Sequence, residues 1–221
     1  MLSTRAGRAV LTAVVVVVVA AAGIVLLVSR NGNDAKPAAS APGAGQVVRA
    51  DSHRLNAPPG AAVTFVEFLD FECEGCRAAY PIVEQLRDEY GDRVEFVMRY
   101  FPLSGHFNAE RAARAVEAAA QQGRLEPMYR TMFETQAEWG EQQVPADDVF
   151  RGFAGELGLD MAAYDAAYDD PATLERIRRD RADGEALGIR GTPTFFIDGQ
   201  QVSLRGPDDL RDAIEAALQA Q

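Results

Sequence analysis

Lysine occurs once in these 221 residues, at Lys36, while cysteine and histidine occur twice each and tryptophan once. Each scarcity removes a class of reading. Two cysteines cannot build a disulfide-stapled scaffold, which needs several bridges in a short chain. A zinc site needs four ligands, and there is no second C-x-x-C pair to complete one. A mixed set of Cys73, Cys76, His53 and His106 fits no usual ligand spacing, so no metal is expected. Basic side chains are outnumbered 22 to 33, for a formal charge of −11. Residues 1–30 carry Arg5, Arg8 and Arg30 and no acid, which leaves −14 on the remainder. A surface that acidic repels phosphate backbones, so nucleic acid is not an expected partner. What remains is ordinary globular composition, 48% hydrophobic and 25% charged, long enough for one domain with a real core plus additional segments.

One apolar run stands apart. Ala9–Val28 contains no charge, and Thr12 is its one polar residue. About twenty such residues suffice to cross roughly 30 Å of hydrocarbon as a helix. Arg5 and Arg8 precede the run, which points the amino terminus to the cytoplasm. A cleaved signal peptide has a shorter apolar region, of about 7–15 residues. Residues 1–30 are therefore expected to be an uncleaved single-pass anchor, with the rest of the protein on the extracytoplasmic side of the cell membrane. Residues 31–60, rich in Ala, Pro, Gly and Asn, read as a flexible linker, although Val47–Leu55 has some strand character and can lie against the domain. His53, within that stretch, reads as a surface or packing residue.

From residue 61 the pattern is α/β. Ala62–Phe68 and Val94–Tyr100 read as strands, with a helix over Arg77–Tyr90 between them. This β–α–β unit favours a parallel pair. From His106 to about Leu187 the period turns helical. Its stripes are Ala112/Val116/Ala119, Met128/Met132/Phe133 and Val149/Phe153/Leu157. Asp170-Pro171 marks a helix start, and Arg176–Arg181 reads as that helix's solvated face. Gly191–Gly199 and Gln200–Leu204 read as a hairpin, followed by a helix opened by Pro207 and Asp208. The helical block is thus an insertion between two halves of one α/β layer. Trp139 reads as packing within it, and His106 as a capping or packing residue.

The chemistry centres on Cys73 and Cys76. A bridge between them closes a loop too short to staple a fold, and short bridges are reducible. A redox-active dithiol is the stronger reading. The pair falls where a strand ends and a helix begins, so the unpaired N–H groups and dipole there favour a Cys73 thiolate. Cys76, one turn further in, is the resolving thiol. Glu67 lies on the apolar strand and points toward the buried side of the helix start. It either shuttles the proton of Cys76 or is a paired core carboxylate.

The run FVEFLDFECEGC, Pro81 five residues after the second cysteine, and GTPTFFIDG near the carboxyl terminus resemble the thioredoxin superfamily. The long helical insertion makes the chain similar to DsbA-like thiol–disulfide oxidoreductases. The resemblance implies a thioredoxin-like fold with a helical insertion, occupying residues 61–221. It implies Cys73 as the exposed nucleophile and Cys76 as its buried partner. It also implies a cis peptide at Thr192-Pro193 facing the sulfurs, where the backbone of Thr192 pairs with a substrate segment. It implies disulfide donation to exported proteins, with the Cys73–Cys76 disulfide as the redox group and no further cofactor. Alternatives are a membrane-anchored reductase, as in cytochrome c maturation, or a chaperone-like binding module. Expected partners are exported thiol proteins and a membrane redox partner, either a quinone-linked oxidase or an electron-donating reductase. The central dipeptide is Glu74-Gly75, where strongly oxidising relatives have Pro-His. Loss of that histidine and the charge of Glu74 both disfavour the thiolate, placing the expected potential between about −270 and −120 mV. The separate dimerisation domain that disulfide-isomerase relatives use is not recognised in this sequence, so isomerase activity is not expected; a monomer is expected.

Overall fold

The computed structural model describes residues 45–221. The run Ala9–Val28, expected as a membrane anchor, lies outside them, as does the first half of the expected linker. Among the described residues, no helix is long and apolar enough to cross a membrane.

The frame is one mixed sheet built from β1 (His53–Asn56), β2 (Val63–Leu69), β3 (Val94–Tyr100), β4 (Thr194–Ile197) and β5 (Gln200–Gln201), in the spatial order β1-β3-β2-β4-β5. β2 and β3 are parallel, joined by helix α1 (Glu74–Tyr90), and β4 lies antiparallel to β2 on its other side. α1 continues through Pro81 without a break. Side chains alternate across a strand, and both faces of β2 are covered. Val63, Phe65 and Leu69 join the larger core, whereas Val66 and Phe68 join a smaller one on the far face with Val97, Phe101, Ile189 and Phe196.

The expected linker, residues 31–60, is corrected at its carboxyl end. β1 pairs antiparallel with β3, His53 opposite Met98, so the folded body begins before residue 61. The edge of β3 offers unpaired backbone groups. Asn56 anchors the strand there: its Nδ2 donates to the carbonyls of Gly91 and Val94, both at 2.9 Å. Val47 and Val48 pack on the far-face core. His53 faces Glu117, Nε2 to Oε2 at 2.5 Å, with its ring edge-on to Tyr100.

Between β3 and β4 lie α2 (Ala109–Ala120), α3 (Leu125–Trp139), α4 (Asp147–Glu156), α5 (Met161–Asp169) and α6 (Pro171–Ala186); α7 (Asp209–Gln219) follows the β4–β5 hairpin. Asp170 caps α6, accepting the Ala172 N–H at 2.8 Å, with Pro171 at the first helical position. Two readings of this block are corrected. α4 buries Phe150 and Ala154, while Val149 is exposed, because Phe150 meets the Trp139 ring edge-on at 4.8 Å. Arg176 is not on a solvated face. It pairs with Glu117 and Asp180, both at 3.2 Å, and lies over the Tyr100 ring. α6 turns acids inward, Asp180 and Asp183, because Arg99 on β3 is wholly buried against them.

Candidate functional site

β2 ends at Leu69, and four residues later Cys73 is the N-cap of α1, in extended conformation with no side-chain cap bond. The first helical hydrogen bond closes on it, Arg77 N–H to the Cys73 carbonyl at 3.1 Å. Helix N-termini leave N–H groups without partners, and those of Cys76 and Gly75 favour a Cys73 thiolate. Both thiols are free, and both residues are buried. The expectation of an exposed Cys73 is corrected, since it is 9% exposed where the Thr192-Pro193 loop lies against it. The Cys73 Sγ–H donates to the Thr192 carbonyl at 3.3 Å, and the Thr192-Pro193 peptide is cis. A Cβ built on Gly75 would stand 3.2 Å from Pro193 Cδ and 3.5 Å from Cys73 Sγ. The β4 loop and the start of α1 are therefore in near contact, and Gly75 leaves room for it.

The two sulfurs are held in opposite electrostatic states. The Cys73 thiol is pushed down to about 5, first by the hydrogen bond from Cys76, then, against burial, by the Thr192 side chain and the helix N–H groups. The Thr192 hydroxyl has no other partner, which leaves its proton free to turn toward a thiolate. Cys76, wholly buried, is pushed well above the ordinary range by desolvation and then by its bond to Cys73. Glu74, exposed on the first turn, is not among the groups acting most strongly on Cys73.

Glu67 lies on the α1-facing side of β2, between Met98 on β3 and Phe195 on β4. It is 3% exposed, and its Oε1 has no hydrogen-bond partner. Of the two readings of this residue, a paired core carboxylate does not describe it. Burial, reinforced by the charges of Glu84 and Cys73, pushes its carboxyl up to about 8, so it holds a proton at neutral pH. Once it ionises, its charge pushes the Cys76 thiol further up.

Several residues that touch this centre were not singled out from the sequence. Gln136 on α3 reaches back to the loop before α1, where its Nε2 donates to the carbonyls of Phe71 at 2.6 Å and Cys73 at 3.0 Å. The inserted helices thereby fix the position of the nucleophile. Asp70 is buried, and its carboxylate meets His106 Nδ1 at 2.7 Å. Glu72, also buried, accepts the Asn108 N–H at 2.5 Å. The available signal was acids flanking the cysteine pair in an otherwise apolar run. Its meaning depends on partners 33 to 36 residues away. Among the described residues no cluster of histidine, cysteine and carboxylates is arranged to hold a metal ion. Trp139 is a core residue, its indole N–H donating to Thr135 Oγ1 at 3.3 Å.

The comparisons agree with this geometry. A crystal structure of a thioredoxin-like oxidoreductase from Silicibacter pomeroyi superimposes with a TM-score of 0.66 at 29% identity, covering 78% of this chain and 95% of that one. Oxidised BdbD from Bacillus subtilis gives 0.69 at 20% identity over 80% of this chain and 97% of that one. The thiol–disulfide exchange protein alpha-DsbA2 from Wolbachia pipientis gives 0.64 at 20%, covering 77% and 89%. The fold is thus thioredoxin-like, of the DsbA type. Among curated proteins, the Na(+)/H(+) antiporter NhaA of Herminiimonas arsenicoxydans is 39% identical over 166 residues, 75% of this chain but 25% of that protein. NhaA 1 of Mycobacterium sp. strain KMS is 35% identical over 167 residues, 73% of this chain and 26% of that protein. The chain spans about a quarter of the length of these relatives. Residues 58–216 match the model of the family described as thioredoxin. That match takes in both cysteines, the cis-proline loop and every inserted helix: the chain belongs to the thioredoxin family.

Proposed function

We propose that this protein is an extracytoplasmic thiol–disulfide oxidoreductase that donates the Cys73–Cys76 disulfide to exported proteins. The carrying observation is the asymmetry of the two sulfurs, Cys73 held near 5 and Cys76 far above the thiol range. A client thiolate attacks Cys73 Sγ, the S–S bond breaks, and its electron pair leaves on Cys76, which takes a proton. Glu67, which holds a proton at neutral pH, would supply it. A second client thiolate then attacks the client sulfur of the mixed disulfide and expels Cys73 as a thiolate. Low-pKa thiols leave faster, so a stabilised Cys73 thiolate favours donation over reduction. A value near 5 lies between those of thioredoxin, about 7, and DsbA, about 3.5, in keeping with a potential between about −270 and −120 mV. Thr192 and Pro193 would receive the client backbone as an added strand. Ala9–Val28 would hold the domain at the outer face of the membrane, as a monomer, where a quinone-linked membrane oxidase reoxidises the pair. The antiporter activity in the relatives' names belongs to proteins about four times the length of the matched segment, and supports no reading of this chain.

Thiol trapping with a membrane-impermeant maleimide in intact cells tests the proposal. A largely disulfide pair that becomes reactive after mild reduction supports donation. A largely dithiol pair would make the protein a reductase fed by an electron-donating membrane partner. Sulfurs reached only after lysis would remove the extracytoplasmic placement.

A further inference from the structure

No cation stands between the two cysteines, where the dipeptide is Glu74-Gly75. The structure brings a titratable imidazole from elsewhere. Asp70, three residues before Cys73, is tied to both sulfur-bearing residues and to an imidazole. Its carbonyl accepts the Cys73 N–H at 3.1 Å, and its own N–H donates to Cys76 Sγ at 3.5 Å. Its Oδ1 accepts the Glu72 N–H, and its Oδ2 accepts the Leu103 N–H, both at 2.9 Å. The same Oδ2 meets His106 Nδ1 at 2.7 Å. The Asp70 side chain is wholly buried, while that of His106 is 24% exposed. His106 therefore has a route to water, and a rigid link to the redox pair.

The charges around this imidazole are of one sign. Asp70 and Glu72 face it from the loop before α1, and Cys73 from the start of the helix; Glu141, from the α3–α4 loop, acts on Glu72. Glu67 on β2 and Cys76 on α1 complete the titratable set around the sulfurs. Burial alone would lower the His106 pKa, but Asp70, followed by Cys73 and Glu72, raises it above the ordinary value. Asp70 is itself pushed up to about 6 by burial, in spite of its hydrogen bonds from Leu103, Glu72 and His106. An imidazolium is the one cation here that can appear and disappear near neutral pH.

We propose that His106, held by Asp70, is the redox-linked proton site of this centre: it takes up a proton when Cys73 becomes a thiolate and releases it when the disulfide re-forms. The proposal rests on the reading of Cys73 and Cys76 as a pair that exchanges electrons with client thiols, and its protons balance. Two client thiols lose two electrons and two protons as they join in a disulfide. The electrons break the Cys73–Cys76 bond, leaving one pair on Cys73 as thiolate and the other on Cys76. One proton goes to Cys76, and the second goes to His106 wherever that ring was neutral. The product is a Cys73 thiolate with an imidazolium nearby, in place of a thiolate whose proton has gone to solvent. His106 touches neither sulfur in this arrangement, so it is a positioning residue for charge, acting through Asp70.

The chain has two histidines, and this makes the test self-controlled. Proton NMR titration of the ring signals would be run on the oxidised and the reduced protein. His106 is expected to titrate at least about half a pH unit higher when reduced, since a nearby opposite charge shifts a pKa by roughly 1–3 units when close and less when solvated. The ring signal of His53, which lies on β1 against Glu117 of α2, is the internal reference. In Cys73→Ser, which has no Cys73 thiolate to form, the value should stay at that of the oxidised protein. In His106→Gln the pH midpoint of Cys73 alkylation should rise, a readout that a merely structural contact would leave in place. Equal His106 midpoints in the two redox states would overturn the inference. Oxidation of a reduced client, measured on the same samples, reports separately on the proposed function. If client oxidation fails while His106 still follows the thiolate, the coupling stands and the function falls. If client oxidation proceeds with His106 unmoved, the coupling alone falls.

Discussion

Two groups of buried charge occupy opposite faces of the same sheet and are treated in opposite ways. On the far face, Arg99 places one terminal nitrogen on the carbonyls of Gln46 and Val47, both at 2.8 Å, and the other on Asp180 and Asp183 at 2.9 and 2.6 Å. Its guanidinium also lies over the Phe68 ring. Against its own burial, Arg49 and Arg99 hold Asp183 below the usual carboxylate range. On the α1 face, Glu67 is buried as deeply but has an oxygen with no partner, and its carboxyl is driven upward. The far-face charges are paired with one another, although Arg99 Nε itself has no partner, and paired buried charges fix geometry even where desolvation leaves little net stabilisation. A buried acid left incomplete keeps its proton and can pass it on. The far face therefore holds the segment before β1 and α6 against the sheet, while the α1 face carries the chemistry.

The sharpest way to break this contrast is to remove the nucleophile. Cys73→Ser should lower the rate of client oxidation by at least about 10³-fold, while the thermal unfolding midpoint of the reduced protein changes little. A chemically inert site with an intact fold would confirm that the α1 face is not a structural staple. If Cys73→Ser retained its rate, the binding-module reading would replace the enzyme.

Arg99→Ala attacks the other side. It leaves Asp180 and Asp183 buried with part of their compensation gone, and breaking such a cluster costs roughly 3–5 kcal/mol. Urea denaturation should show that loss, whereas the alkylation profile of Cys73 in the folded fraction should stay where it is. A shifted Cys73 profile would mean that the two faces are coupled through the sheet.

Glu67→Gln comes next in size and separates the faces by pH. The folded-state pKa of Glu67 is raised from 4.5 to about 8, so its contribution to stability is fully present below about 4.5 and is lost as pH rises through 8. Glutamine cannot ionise and escapes that loss. Urea midpoints of variant and parent should therefore agree near pH 4.5 and diverge above it, with the variant more stable by about 2–4 kcal/mol at pH 9. Client oxidation should slow by about 10-fold or more, because proton delivery to Cys76 loses its donor.

The elements that rest on periodicity were legible in the sequence. β2, β3 and β4 are short, nearly continuous apolar runs and α1 has a period of 3.6, whereas β5 is an exposed Gln200–Gln201 pair legible only from the Asp198-Gly199 turn before it. The Asp170 cap of α6 is a local pattern. The cysteine pair and Thr192-Pro193 were legible as spacing and as resemblance. Contacts between polar side chains far apart in the chain were not. Asp70 with His106, Gln136 with the Cys73 carbonyl, and Arg99 with Asp180 and Asp183 leave no periodic trace. Arg99 did leave a weaker one, since an arginine inside the apolar strand VEFVMRY must find partners. β1 was under-read because two edge contacts and a short pairing suffice to order a segment that its Ala, Pro and Gly neighbours disguise. Glu67 could be placed in the core from its strand, but whether it had a partner there depended on neighbours from two other strands.

The smallest expected effect tests how closely the active face is fitted. Gly75 sits on the first turn of α1, and alanine is the better helix former there by up to about 1 kcal/mol. Added alone, that preference would stabilise Gly75→Ala. The new methyl carbon, however, would sit 3.2 Å from Pro193 Cδ and 3.5 Å from both Cys73 Sγ and the Thr192 carbonyl, so the β4 loop must withdraw by a few tenths of an ångström. The fold can absorb such a shift, because the loop lies at the surface end of the sheet. The site cannot absorb it as well, because the Thr192 carbonyl and hydroxyl are what face the sulfur. Gly75→Ala should therefore leave the unfolding midpoint equal or slightly higher, while kcat/KM for a reduced client falls a few-fold (about 1 kcal/mol). A variant that lost stability and activity in proportion would show that the apposition of Pro193 and α1 holds the fold together rather than shaping the site.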